Sequence, residues 1–140
     1  MEKVFEIYIK TTPELLWEAL TAPGGMARFF VPPGTEAPDL PASSEQLEAD
    51  PPRRLVQRMN AEWSEEVKAE PPSRITYEIE PVGTSCLLRV VHDELREDAN
   101  PELYGGWTMI LSALKTQLES GEFLDTPASL RFAGAGKELT

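Results

Sequence analysis

The chain has 140 residues, of which 41% are hydrophobic, and a formal net charge of −11. A single domain of this size can bury a core without metals, and one cysteine, Cys86, excludes an internal disulfide. The acidic charge argues against a nucleic-acid binder, which needs clustered Lys and Arg, and against docking on anionic membranes. The N-terminus lacks the long apolar stretch of a signal peptide or membrane span, so we expect a cytoplasmic protein.

A strand and a helix are expected at the start of the chain. The alternation over Val4–Ile9 predicts a strand whose odd-numbered side chains face the core. A threonine before Pro13 can cap a helix, and proline fits the first helical position. We expect this helix to run from Pro13 to about Leu20. Its predicted buried residues are Leu15, Leu16, Ala19 and Leu20.

The next segment predicts a second short helix and an irregular connection. Pro23-Gly24-Gly25 ends the first helix, and the second is expected over Met26–Phe30. Four prolines between Val31 and Ser44 remove hydrogen-bond donors from any sheet. We therefore expect this stretch to be an irregular connection.

Four further strands are expected in the middle of the chain, each with aligned apolar side chains. Their predicted ranges are Glu45–Ala49, Arg54–Trp63, Arg74–Glu80 and Cys86–Leu95. Reversals are expected at Asp50-Pro51-Pro52 and at Pro81-Val82-Gly83. A further short strand near Val67 is also compatible with the pattern.

The C-terminal part predicts one long amphipathic helix. Apolar residues recur at helical spacing from Tyr104 to Leu118, and Gly121 follows where a C-terminal cap belongs. Segregated strands followed by a helix predict an α+β fold in which the helix lies across one face of a curved sheet. We expect one domain over residues 1–121 and a weakly patterned tail over residues 122–140.

Four segments carry a family resemblance. They are Ala49–Val56, Ser73–Pro81, Leu88–His92 and Gly106–Gly121. In this order they resemble the SRPBCC (START-like) superfamily, closest to the branch homologous to the activator of the heat-shock-protein-90 ATPase. The resemblance implies a helix-grip fold, with an antiparallel sheet that grips a long C-terminal helix. It also implies that a strand hairpin of the relatives is shortened or missing at the proline-rich stretch Val31–Ser44.

The inner faces of the predicted strands carry aromatic and sulfur-containing side chains. Pockets for small apolar ligands are lined in this way, with a few polar groups such as Gln57, Tyr77 and His92 to orient the ligand. The same side chains could instead simply fill the core. The candidate cavity-lining residues are Phe30, Gln57, Met59, Trp63, Tyr77, Ile79, Leu88, Val90, His92, Trp107, Leu111 and Leu114.

No motif of catalysis stands out. His92, the single histidine, could act as a general base or be a hydrogen-bonded core residue. One histidine excludes a multi-histidine metal site, and Cys86 lacks partners at ligand spacing. The carboxylates of Glu62, Glu65, Glu66 and Glu70 are expected on solvated surface. We therefore expect no catalytic residue, no metal and no cofactor.

Three functions remain open. We expect a binding protein for a small hydrophobic molecule, without catalysis of its own. The resemblance also implies a co-chaperone-like interaction module, or a cyclase- or aromatase-like enzyme in which His92 or a pocket carboxylate transfers protons. Loss of the hairpin would expose an edge at Gln46–Ala49, so a homodimer through that edge or the cavity mouth is a further expectation.

Overall fold

Five strands and three α-helices make up the part of the chain that the computed structural model describes, residues 1–22, 42–62, 64–127 and 129–130. In chain order they are β1 (Lys3–Ile9), α1 (Pro13–Thr21), β2 (Ala42–Asp50), β3 (Arg54–Ala61), α2 (Glu65–Lys68), β4 (Ser73–Val82), β5 (Ser85–Asp93), a 3-10 turn (Pro101–Leu103) and α3 (Trp107–Ser120). The predicted helix Met26–Phe30 and most of the stretch Val31–Ser44 lie outside the described residues. Of the candidate residues, Phe30 and Trp63 do as well.

The strands form one antiparallel sheet in the order β1-β5-β4-β3-β2. β1 therefore pairs with the last strand, and β2 forms the opposite edge. A register shift between Gln46 and Glu48 interrupts the pairing of β2 with β3. The α+β class, the antiparallel sheet and the C-terminal helix are as predicted.

Local signals in the sequence set the ends of both longer helices. The hydroxyl of Thr12 accepts a hydrogen bond from the amide of Leu15 at 3.2 Å, and Pro13 occupies the first turn. At the end of α3, Gly121 adopts a left-handed φ of 74°, and its amide donates to the Gln117 carbonyl at 2.9 Å. Both caps confirm the predicted helix ends.

The core lies between the helices and one face of the sheet, which we call the inner face. The alternation of each strand supplies its apolar side chains, and α1 and α3 cover them. Ile9, Leu16, Leu55, Leu88 and Leu114 are all fully buried. A smaller cluster under α2 and the 3-10 turn contains Ala61, Val67, Leu95, Ala99 and Leu103.

Three local predictions are wrong. Val67 lies in the helix α2 and not in a strand, because the hydroxyl of Ser64 accepts from the Val67 amide at 3.3 Å and caps that helix. Leu15 is 52% exposed, since the buried face of α1 runs through Leu16 and Leu20. β4 continues to Val82, so the reversal falls one residue later than expected.

The remaining strand bounds differ by up to three residues from the prediction. β2 begins at Ala42, three residues early, and β3 ends at Ala61, two residues early. β5 ends at Asp93, because Glu94 takes a left-handed φ of 60° that leaves the strand.

Candidate functional site

The inner face brings the described candidate residues together. Ten of the twelve predicted cavity-lining residues are described. Those on the strands are Gln57 and Met59 of β3, Tyr77 and Ile79 of β4, and Leu88, Val90 and His92 of β5. Those on α3 are Trp107, Leu111 and Leu114. All are at most 5% exposed except Gln57 and Met59, which are half-buried.

Trp107 is the centre of an aromatic cluster on this face. Its ring centroid lies 6.0 Å from that of Tyr77 and 6.1 Å from that of His92, both edge-on. Phe5 of β1 packs at 6.1 Å with the rings tilted by 35°. Such geometries are favourable for aromatic pairs, so these contacts stabilise the packing of the first turn of α3 on the sheet.

Both ring nitrogens of His92 are engaged. The indole Nε1 of Trp107 donates to Nδ1 at 3.1 Å, and Nε2 lies 2.8 Å from the hydroxyl of Ser73. Because an indole N–H can only donate, Nδ1 carries no proton, and Nε2 must donate to Ser73. Burial lowers the pKa of His92 to about 4, although Asp93 opposes this shift. His92 is therefore a neutral core residue with no nitrogen free to take a proton from a substrate.

The hydroxyl of Tyr77 is in the opposite situation. Tyr77 is 4% exposed, yet no hydrogen bond reaches its Oη from any described residue. In the same residues, Thr11 Oγ1 is the one fully buried side-chain oxygen without a partner. The oxygen of Tyr77 must therefore touch accessible space. Burial raises the pKa of Tyr77, so its hydroxyl keeps its proton at neutral pH.

Gln57 is a second polar side chain on this face. It pairs with Ile75 of β4, which places it diagonally beside Tyr77 on the same side of the sheet. Its amide makes no hydrogen bond within the described ranges. On β2, the opposite residue Gln46 is exposed. α3 lies over β1, α1 over β4 and α2 beside β3, and among the described inward residues of β3, β4 and β5, Gln57 and Met59 are half-buried.

Charged groups are nearly absent from the described inner face. The inward positions of β3, β4 and β5 hold apolar, Gln, Ser, Tyr, Cys and His side chains. Lys3, at the start of β1, is the exception, and its ammonium lies 4.8 Å from the ring centroid of Tyr104. The middle of the described face is therefore apolar, with the Tyr77 hydroxyl and the Gln57 amide as polar groups that have no partner among the described residues.

The outer face of the sheet, unlike the inner face, carries many charged side chains. One row of charges alternates in sign across all five strands, with Glu6–Arg89 at 3.9 Å, Arg89–Glu78 at 3.5 Å, Glu78–Arg54 at 2.8 Å and Arg54–Glu48 at 3.0 Å. Beside this row is a groove of about 280 Å³, lined by Glu6, Glu78, Ile79, Glu80, Leu87 and Arg89. Its lining is largely ionic, so it is a poor match to an apolar ligand.

One of the carboxylates predicted on solvated surface is buried. The Glu70 side chain is 5% exposed and accepts two hydrogen bonds from the guanidinium of Arg96. Glu62, Glu65 and Glu66 are exposed as expected. Within the described ranges, no group of three His, Cys, Asp or Glu side chains could hold a metal ion. None of the described helices is long and apolar enough to cross a membrane.

Two members of the site were not among the predicted residues. The hydroxyl of Ser73 accepts a hydrogen bond from Nε2 of His92, and Phe5 packs on Trp107. The period of two could have found both, because Ser73 shares a face with Tyr77 and Phe5 lies on the predicted inward row of β1.

The fold and site define a helix-grip domain, in which an antiparallel sheet packs its inner face on a long C-terminal helix. The sequence profile of the family described as "Activator of Hsp90 ATPase homolog 1-like protein" matches residues 22–119. The chain therefore belongs to this family, which confirms the resemblance drawn from its sequence segments. No curated protein shows significant sequence similarity to the chain.

Several solved structures share the fold. CalU16 from Micromonospora echinospora is 23% identical, with a TM-score of 0.66 over 99% of this chain and 84% of its own. The Aha1 dimer from Colwellia psychrerythraea is 20% identical, with a TM-score of 0.63 over 86% of this chain and 98% of its own. Protein MLL2253 from Mesorhizobium loti is 23% identical, with a TM-score of 0.64 over 84% and 96%. At these identities the likeness supports the fold alone.

Proposed function

We propose that this protein binds a small hydrophobic ligand between the inner face of its sheet and α3, and that it has no catalytic activity of its own. The observation that carries the proposal is the Tyr77 hydroxyl, which is almost buried on an apolar face and has no partner among the described residues. Buried polar groups in folded proteins are nearly always hydrogen-bonded. Because its oxygen reaches accessible space, water can be its partner, and a ligand acceptor that replaces this water would contribute a net of about 0.5–1.5 kcal/mol.

The surroundings of Tyr77 support an apolar ligand. Trp107 packs edge-on against Tyr77, Phe5 packs in turn on Trp107, and Met59 is half-buried on the same face. Ligand pockets combine such apolar walls with a few polar groups that orient the ligand. The ionic groove on the outer face lacks this combination.

The geometry of His92 argues against catalysis at this site. A general base needs a free lone pair within reach of the substrate. Nδ1 already accepts a hydrogen bond from the indole of Trp107, and the N–H at Nε2 donates to the hydroxyl of Ser73. The inward positions of β3, β4 and β5 carry no carboxylate that could replace it. The described residues of this face therefore supply no free base for a cyclase- or aromatase-like reaction.

Occlusion variants test the location of the ligand. Met59→Trp adds bulk to the inner face, and Leu87→Trp adds the same bulk to the outer groove. Saturable binding of 2-ethylnaphthalene, followed by ligand-observed NMR, is expected for the wild type and for Leu87→Trp. It should be lost or weakened at least tenfold in Met59→Trp, with circular dichroism used to verify that both variants are folded.

Two outcomes would overturn the proposal. Loss of binding in Leu87→Trp, with Met59→Trp unaffected, would place the ligand in the outer groove. An absence of saturable binding in the wild type, for this compound and for sterols, lipids and aromatic polyketides, would remove the ligand-binding function altogether.

A protein-interaction role is the second candidate, and membership of the family named after the activator of the Hsp90 ATPase favours it. The matched region, residues 22–119, includes β2 to β5 and nearly all of α3, and leaves out β1 and α1. Adding the purified protein to the corresponding chaperone of its host and measuring ATP hydrolysis tests this role. A reproducible increase in the rate would support it, and an unchanged rate would dispose of it.

Homodimerisation is a related proposal. The similar structure from Colwellia psychrerythraea is described as a dimer, and the edge strand β2 is exposed along residues 45–50. Glu45, Glu48 and Asp50 are each paired with an arginine of the same chain, so their charge leaves two interfaces open, this edge and the inner face near Met59. Sedimentation of Met59→Trp would discriminate the two, since a change at the inner face should shift the monomer–dimer equilibrium and leave an edge-paired dimer intact.

A further inference from the structure

We infer that the ligand of the inner face is uncharged and carries an oxygen acceptor, which the Tyr77 hydroxyl and the Gln57 amide hold by hydrogen bonds. The inference rests on the proposed function and specifies its ligand class. It comes from two features of the described part of this face. The middle of the face carries no charged side chain, and two of its polar groups have no partner within the described ranges.

The described inner face offers no charge to match an ionic ligand. A buried carboxylate, sulfonate or phosphate needs an opposite charge or several hydrogen bonds to offset the loss of its hydration. Lys3 is the one cation on the described inner face, and it is engaged with the ring of Tyr104 at the end of the sheet. A buried ammonium would be equally unmatched, because the inward positions of β3, β4 and β5 hold no carboxylate.

The two free polar groups select an oxygen acceptor. Tyr77 keeps its proton and can donate from Oη, and the Gln57 amide offers two further N–H donors. The two side chains are diagonal neighbours on β4 and β3 and lie on the same face. A carbonyl oxygen has two lone pairs and can accept from both donors at once. His92 cannot contribute, since its ring nitrogens are already hydrogen-bonded.

Three naphthalenes of similar size provide the test. 2-Acetylnaphthalene carries the neutral oxygen acceptor, 2-ethylnaphthalene lacks it, and 2-naphthoate carries a negative charge. The wild-type protein should bind the ketone about 2- to 12-fold more tightly than the hydrocarbon, the range expected for a net hydrogen bond. It should bind the naphthoate at least tenfold more weakly than the ketone.

Tyr77→Phe and Tyr8→Phe form a matched pair of variants. Tyr8 lies on the outer side of β1 and is 60% exposed, so its hydroxyl is far from the inner face. Tyr77→Phe should reduce the preference for the ketone, and Tyr77→Phe combined with Gln57→Leu should abolish it. Tyr8→Phe should retain the preference. Gln57→Leu should reduce it.

The outcomes separate this inference from the proposed function. If Tyr77→Phe keeps the full preference for the ketone, or if the naphthoate binds as well as the ketone, the inference is overturned while ligand binding stands. If none of the three compounds binds saturably to the wild type, the proposed function fails and this inference fails with it.

Discussion

The state of His92 makes the stability of the protein depend on pH in a predictable direction. Its pKa is about 4 in the folded protein, against an ordinary value of 6.5. The folded state therefore binds the proton more weakly than the unfolded chain, so protonation favours unfolding. The full contribution of neutral His92 to the free energy of unfolding is present above pH 6.5 and is lost as the pH falls toward 4. A tenfold difference in proton affinity is worth about 1.4 kcal/mol, so the total is about 3 kcal/mol.

The interval from pH 6.5 to 5 isolates this effect. His92 is the single histidine of the chain. The pKa of Asp93 is lowered mainly by its hydrogen bond from Arg74, and that of Glu119 mainly by its hydrogen bond from Lys115. Their contributions are present above their ordinary pKa values and are lost only at lower pH. Over this interval His92 should reduce the free energy of unfolding by about 2 kcal/mol.

Urea unfolding, followed by tryptophan fluorescence at pH 7.5, 6.5, 5.5 and 5, measures the effect. His92→Gln removes the titrating ring and serves as the reference. Its absolute stability matters little, because the readout is the difference in slope between the two proteins. The wild type should lose about 1.4 kcal/mol per pH unit more than the variant below pH 6. Parallel pH profiles would refute the reasoning, and would reopen a role for His92 as a base.

Three further predictions concern the fold and can be measured by chemical denaturation. Gly121→Ala should cost about 1–2 kcal/mol, because a methyl group meets no atom there but the left-handed φ of 74° disfavours it; an equal cost for Gly121→Asn would contradict this reason. Arg54→Gln, which removes the exposed pairs with Glu78 at 2.8 Å and with Glu48 at 3.0 Å, should cost about 1 kcal/mol at low salt and almost nothing in 1 M NaCl. A salt-independent loss would show that the pairs act through packing. Leu114→Ala should cost about 2–5 kcal/mol, against less than about 0.5 kcal/mol for the exposed Leu15→Ala, and similar values for the two would contradict the assigned core.

Much of the fold could be read from the sequence because burial alternates along each strand. The period of two placed Tyr77 and Val90 on one face, and the helical period from Tyr104 to Leu118 identified α3. Caps such as Thr12 and Gly121 act within a few residues, so their effect is visible locally. The candidate residues come from these same rows, so the sequence could place them on one face, and their role in lining a ligand site stays a prediction.

The chemical state of the site could not be predicted in the same way. The contact of Trp107 with His92 depends on how α3 docks on β5, and without that contact the free and occupied nitrogens cannot be told apart. The burial of Glu70 depends on Arg96, 26 residues further along the chain. The strand suggested at Val67 failed for a local reason, since the hydroxyl of Ser64 stabilises a helix start more than a single β-branched residue favours a strand.

The most direct test of ligand binding is native mass spectrometry of the protein purified gently from its own host, compared with the denatured mass. We expect a mass excess in the native spectrum alone. The released compound should be uncharged, rich in carbon and contain oxygen. The same excess should disappear in Met59→Trp prepared in parallel. A native mass equal to that of the polypeptide, together with a failure of 2-acetylnaphthalene to bind, would contradict the proposed ligand binding.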